Sequence, residues 1–297
     1  MPTSRVGTAH QINASSVGTA HQNNAGRMSI AHQNRIAIIV AALSLLSLTP
    51  SAIADNPFSG FADRHGGALV TIKFTLKMTR GGMGDSESEN EIAGVLIDAN
   101  GLVLCSNTEL SGGAATFSRM MGAAADIRAT PSDIKILIGD DNEGVDGEVL
   151  VRDTELDLAW VRLKEEPAEP LTFVNFDESV EPKIGDTLLT VKRLGKFFGR
   201  SMIVTEGRVG GVSTKPRELY LPAGDLSPEL GLPVYTESGK VIGVTVIQVP
   251  DAAGGSMSRT EMRQLMGSLQ SMGGVILPAK QIVKSTKRAL EVVAEDE

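Results

Sequence analysis

The sequence predicts an all-β protein: two β-barrels in tandem, with one inserted helix and a C-terminal helix. Three observations carry this. Val70, Ile72, Phe74, Leu76 and Met78 alternate with Thr71, Lys73, Thr75 and Lys77, and an unbroken period of two marks a half-buried strand. Further short apolar runs follow between turn residues at intervals of roughly eight to twelve residues, the rhythm of a barrel or sandwich. The stretch Glu165–Pro170 (Glu-Glu-Pro-Ala-Glu-Pro) has the composition of a linker and splits those runs into two groups of similar size.

Composition narrows the function classes. The 297 residues are 41% hydrophobic but only 4% aromatic, so there is a core to bury and it is mainly aliphatic. One cysteine excludes a disulfide framework and a Cys-rich zinc site. A net charge of −8 with no basic stripe argues against a nucleic-acid surface.

The chain before Asp55 stands apart, for it contains no Asp, Glu or Lys. Residues 1–34 read as a disordered extension in which His10, His21 and His32 recur within a repeated Ala-His-Gln. That segment holds little to bury, so the histidines are read as part of a polar repeat rather than as metal ligands. Met28 rivals Met1 as the start. Residues 35–54 read as a signal peptide: Arg35, then an apolar run Ile36–Leu48, then Ala52 and Ala54. The run is short for a span of about 20 residues, and the small residues suit cleavage before Asp55. An uncleaved anchor is the alternative. The expectation is export to the periplasm or the extracellular space, with no membrane span after cleavage. Residues 55–66 would then be a short mature N-terminal segment, and 67–293 the folded domain.

Within the domain the expected barrels cover about 67–164 and 171–290. A loop is expected over Arg80–Asn90. Ile92–Ile97 and Leu102–Cys105 flank Asp98-Ala99-Asn100-Gly101, a strong hairpin signal. Ser111–Pro131 reads as a loop with at most one helical turn. Strand candidates resume at Ile134–Ile138, Gly147–Val151 and Leu158–Leu163. Beyond the linker they are Thr187–Lys192, Met202–Val212, Glu218–Leu221, Val234–Tyr235 and Val241–Val249. Ser258-Arg259-Thr260-Glu261 is a capping box, and Met262, Leu265, Met266, Leu269 and Met272 continue at helical spacing as a packing stripe. The last helix is expected from Pro278 to about Val293, with Ile282, Val283 and Leu290 on one face.

In order along the chain, these segments resemble the trypsin-like serine peptidases, and specifically their HtrA/Deg branch. Ala93-Gly94-Val95-Leu96-Ile97-Asp98-Ala99-Asn100-Gly101-Leu102 is similar to that family's first hairpin. Asp157-Leu158-Ala159-Trp160-Val161 is similar to the strand that opens on its catalytic Asp. Ile184-Gly185-Asp186, Val204-Thr205-Glu206-Gly207-Arg208-Val209, Gly239-Lys240-Val241-Ile242-Gly243-Val244 and Gly274-Val275-Ile276-Leu277-Pro278 continue the likeness. The resemblance implies a trypsin-like double barrel. No PDZ-like segment is expected.

The chemistry that the resemblance implies is missing from the residues. Acyl transfer by this family needs a Ser nucleophile, a His base, an orienting Asp and backbone N–H groups for the oxyanion. Thr108 stands at the His position, and a hydroxyl cannot act as base near neutral pH. Leu230 stands at the Ser position, and Pro228 replaces the Gly whose N–H is an oxyanion donor, though proline has none. Only Asp157 of the triad is kept. The Thr108 hydroxyl, or N–H groups beside it, is expected to satisfy that carboxylate and turn it into a structural tie.

Other candidates are weaker. His65 precedes the first strand. Ser227 and Ser238 lack a base, unless Lys240 pairs with Ser238. Cys105 lies in an apolar run and reads as buried and inert. Asp140-Asp141-Asn142-Glu143-Gly144 with Asp146 lacks the Gly and Glu of a calcium loop and reads as a solvated hairpin tip. No catalytic residue, cofactor or metal site is expected.

The reading is an exported pseudoprotease that binds peptides or partner proteins. An active peptidase using unrecognised residues and a structural envelope protein are the alternatives. Oligomeric state is left open. N-terminal sequencing of exported material should find Asp55 first; a start upstream of Arg35 would overturn the signal-peptide reading.

Overall fold

In the computed structural model, six strands close an antiparallel barrel in the order β1-β2-β3-β6-β5-β4. They are β1 (Leu69–Arg80), β2 (Gly84–Leu96), β3 (Leu102–Ser106), β4 (Ile127–Ile138), β5 (Val145–Asp153) and β6 (Leu158–Leu163). Six more close a second barrel in the order β10-β11-β12-β9-β8-β7. These are β7 (Thr187–Arg193), β8 (Met202–Ser213), β9 (Leu219–Ala223), β10 (Pro233–Thr236), β11 (Val241–Val246) and β12 (Val275–Pro278). The structure describes residues 58, 60–80, 84–121, 127–226, 228–249, 258, 260–261, 263–264, 267 and 273–296, all within one compact unit, Asp55–Glu297. The tandem barrel expected from the sequence is the observed fold. The expected N-terminal extension and signal peptide, Ser227, and the stripe Met262, Leu265, Met266, Leu269 and Met272 lie outside the described residues. Among the described residues no helix is long and apolar enough to cross a membrane.

Alternation places the core. Val70, Ile72, Phe74 and Leu76 of β1 join Val103, Cys105, Ile136 and Val161 inside the first barrel. Leu188, Val234, Ile242 and Ile276 fill the second. A third cluster draws on both barrels and the last helix, uniting Leu69, Trp160, Leu189, Tyr235, Val244 and Ile282. The hairpin expected at Asp98–Gly101 forms: Asp98 Oδ1 accepts the N–H groups of Asn100 (2.9 Å) and Leu102 (2.8 Å). Gly101 adopts φ +97°, and a Cβ there would stand 2.4 Å from Leu163 Cδ1, so only glycine fits.

Three expected elements need correction. Of the loop placed over Arg80–Asn90, Arg80 and residues 84–90 are instead strand, for β1 and β2 pair from Leu69↔Val95 to Arg80↔Gly84, and residues 81–83 lie outside the described residues. Polar residues on both faces of β2 concealed the strand. Cross-strand ion pairs hold the polar part together, Lys73–Glu89 at 3.2 Å and Lys77–Asp85 at 3.3 Å. Residues 75–80 of β1 also pair with 127–132 of β4. Since β2 meets β3 only at Gly94–Leu96 and β4 meets β5 only at Lys135–Ile136, this three-stranded blade projects past the closed barrel.

The second correction concerns the loop expected over Ser111–Pro131. It holds a helix of two turns, α3 (Ala114–Met121), after a short α2 (Asn107–Leu110). The small residues that suggested a loop include alanine, the strongest helix former. β4 then begins at Ile127, inside the segment expected to be loop.

The third correction is to the C-terminal helix. The short α1 (Phe61–His65) packs before β1, and α4 (Ala279–Asp296) ends the fold, while Pro278 closes β12 instead of opening the helix. Ile282 is buried, but Leu290 is 42% exposed and Ala289 lies beneath instead. Two helical turns from Ile282 reach residue 289, so the strict period moves Leu290 off the face. Trp160 Nε1 donates to Thr286 Oγ1 at 3.0 Å and fixes the helix over the first barrel. The capping box also forms, with Ser258 N–H donating to Glu261 Oε2 (2.8 Å) and Glu261 N–H to Ser258 Oγ (3.2 Å).

β11 and β12 approach so closely that a Cβ on Gly243 would lie 2.0 Å from the Leu277 carbonyl oxygen. Gly243→Ala should cost about 3 kcal/mol of stability, the upper part of the range for overpacking, read as a lower urea midpoint.

Candidate functional site

Asp157 precedes β6 at φ +62°, a left-handed conformation that Asp and Asn adopt more readily than other non-glycine residues. That twist turns its side chain inward, where the residue is 3% exposed. Ser106, the last residue of β3, donates its hydroxyl to both carboxylate oxygens, 3.2 Å to Oδ1 and 3.1 Å to Oδ2. The Thr108 N–H donates to Oδ1 at 2.7 Å. From the second barrel, the Ile247 N–H donates to Oδ2 at 2.9 Å. β11 was expected to run to Val249 but stops at Val246, which leaves the next N–H for this carboxylate. The expected tie therefore exists, and it runs through two backbone N–H groups and the Ser106 hydroxyl. The Thr108 hydroxyl bonds instead to Thr116 Oγ1 on α3.

Burial pushes the Asp157 carboxyl above its ordinary value, and the hydrogen bonds from Ile247, Thr108 and Ser106 pull it back only in part. The loop Pro228–Leu232 lies directly against this cluster. Gly231 adopts φ +80°, and a Cβ on it would stand 2.6 Å from the Ser106 nitrogen. Gly231 N–H donates to the Thr245 carbonyl (2.8 Å), and Thr245 N–H returns a bond to the Leu232 carbonyl (3.0 Å), fixing the loop on β11. Thr108, Asp157 and the loop bearing Pro228 and Leu230 are thus gathered around Ser106. The family model of the trypsin-like peptidase domain matches residues 92–244, just over half of the chain.

The chain belongs to the trypsin-like peptidase domain family. Compared with curated proteins it has no match. The matched region spans most of both barrels and includes Thr108, Asp157, Pro228 and Leu230.

Two acids of this trypsin-like site were not legible in the sequence. Glu109, next to Thr108, has Oε2 buried without a hydrogen-bond partner. Burial, then the charges of Glu229 and Asp157, push its carboxyl up to about 8. Glu229, one residue before Leu230, is also raised by burial, while Lys192 acts the other way. No spacing or motif marks either glutamate; only the folded loop brings them together.

Of the weaker candidates, Cys105 lies beside this site and the others lie elsewhere. Cys105 is fully buried, its Sγ 3.7 Å from the Ala159 carbonyl, and burial drives its thiol far up. His65 stacks on Phe61 and Tyr235, with ring centroids 4.4 and 4.3 Å away. Burial and then Arg64 lower its pKa. Ser238 Oγ bonds to Thr236 Oγ1 at 2.9 Å and Lys240 Nζ lies 3.8 Å from Glu178, so the Ser–Lys pair does not form. The acidic hairpin tip spends its carboxylates locally. Asp141 accepts the N–H groups of Glu143 and Gly144, both at 3.0 Å, Asp146 pairs with Lys135 at 2.8 Å and Asp140 with Arg193 at 3.1 Å.

Ser106→Ala should cost roughly 1–3 kcal/mol, because it leaves a buried carboxylate short of a donor. Thr108→Val, which keeps the N–H, should cost less. Glu109 and Asp157 both have folded pKa values above their unfolded ones, so the folded chain binds more protons between those values and its stability falls as pH rises through that window. For Glu109 the window runs from the ordinary 4.5 to about 8. Urea midpoints should therefore decline from pH 5 to pH 8, and Glu109→Gln should flatten the decline.

Proposed function

We propose that this chain is an exported, HtrA-like pseudoprotease: a trypsin-like fold that has lost peptidase chemistry and serves to bind peptides or partner proteins. One observation carries the reading. By the family resemblance Thr108, Leu230 and Pro228 stand at the positions of the reacting groups, and the Asp157 carboxylate is already engaged by three donors, one of them the Thr108 N–H. Leu230 offers no atom that can attack a carbonyl. Thr108 offers no base, and its hydroxyl is committed to Thr116. Pro228 has no N–H for an oxyanion, and one such donor is worth about 2.7–4 kcal/mol of transition-state stabilisation. Asp157 is left as a fastening between the barrels.

Binding remains chemically reasonable at such a site. With its carboxyl raised to about 8, Glu109 is mostly protonated at neutral pH and can donate to a peptide carbonyl. Half-buried Leu230 follows Glu229, whose charge acts on Glu109, and adds an apolar side chain to the same loop.

The test is direct. The mature chain should show no labelling by a fluorophosphonate probe and no cleavage of casein. Thr108→His with Leu230→Ser should stay nearly inactive while Pro228 removes the donor, and adding Pro228→Gly should give the largest gain. Labelling of the unaltered chain, lost on Ser238→Ala or Ser227→Ala, would overturn the proposal.

A further inference from the structure

A groove of about 750 Å³ runs between α4 and the β5–β6 turn, and Asp157 and Thr108 are not among the residues that line it. Its size falls within the range of ligand-binding clefts. The floor is apolar: Leu156, Trp160 and Ala289 are buried there, and Val292 is left 45% exposed at one wall. The polar groups around it are unequal. Asp153 Oδ1 is occupied by the N–H groups of Glu155 and Leu156, both at 2.9 Å. Glu155 is engaged by Arg217, whose own Nε is buried without a partner. Arg152 directs its Nε to Asn107 Oδ1 at 2.7 Å.

That leaves Lys284 and Arg288. Both line the groove, both are exposed, and neither has an anionic partner among the described residues. Four residues apart on a helix, they stand side by side, a repulsive placement unless an anion lies between or beside them. This occurs on a chain whose net charge is −8. Two unmet cations next to an aliphatic floor with an indole are complementary to carboxylates flanking an apolar side chain. A polyanion bound through its phosphates would use a longer row of cations and no apolar floor.

We infer that this groove is a docking site for a short acidic peptide segment of another polypeptide, one that places an apolar side chain against the exposed Val292, above the buried Trp160, and carboxylates on Lys284 and Arg288. The site owes nothing to the cleft chemistry, so it stands whether or not the pseudoprotease reading does.

The probe is an extended, fluorescein-labelled octapeptide of alternating glutamate and leucine, titrated into the mature chain and followed by anisotropy. Trp160, the single tryptophan of the sequence, should report the same event in its emission. Affinity should fall as salt is raised from about 0.05 to 0.5 M, where charge pairs are screened. Lys284→Glu with Arg288→Glu should weaken binding at least about tenfold, equivalent to about 1.4 kcal/mol. Val292→Glu should do likewise by placing a negative charge against the ligand. Lys287→Glu, on the same helix but not lining the groove, should change little. Equal binding by the charge-reversed chain would overturn the proposal. So would equal binding of a serine-for-glutamate peptide, or displacement of the peptide by an oligonucleotide that itself binds more tightly.

Discussion

A single buried carboxylate, that of Asp157, fastens the two barrels to each other. Asp157 takes hydrogen bonds from Ser106 and Thr108 on one barrel and from Ile247 on the other. Burying a charged oxygen is tolerable only when donors surround it, so the surrounding segments are held to narrow positions. Ser106 must end β3 with its hydroxyl inward, α2 must start at once to present the Thr108 N–H, and β11 must stop at Val246. Gly231 then has to be glycine, because the loop rests on the backbone of Cys105 and Ser106. Local geometry that elsewhere would look incidental is fixed here by one acid.

This dependence bears on how such a fold could outlive its chemistry. Every donor to Asp157 but one is backbone, and the exception, Ser106, also caps α2 by accepting the Glu109 N–H at 3.3 Å. An imidazole is not needed to satisfy the acid. On the proposed reading, residues at the His and Ser positions became free to change while the residue that helps close the two barrels together did not. Retention of Asp157 is then a matter of architecture and not of residual catalysis.

Much of this was legible in the chain. Period-two alternation announced β1, and Asn-Gly announced the hairpin, because both are local signals with a direct steric cause. What escaped had non-local causes. The outer half of β2 is polar on both faces, so no alternation marks it, and its cross-strand ion pairs with β1 form only once the hairpin has closed. The placing of Ala289 rather than Leu290 beneath α4 follows helical period against hydrophobicity. The order of motifs singled out Thr108, Asp157, Pro228 and Leu230, and the fold brings Thr108 to Asp157 and the loop bearing the other two against Ser106. Glu109 and Glu229 could not, since a raised carboxyl pKa is a property of the environment and has no residue signature.

The blade that extends past the first barrel has a further consequence. Where β2 and β4 leave their neighbours, each presents an unpaired backbone edge to solvent, the kind of template to which another chain can add a strand. The sequence answers with charge and geometry. Asp85, Glu87 and Glu89 line the outer reach of β2, and Arg128, Pro131 and Asp133 interrupt that of β4, where Pro131 has no N–H to offer an incoming strand. The acidic residues that hid this hairpin from a reading of the sequence are thus the ones that charge its open edge against an added strand.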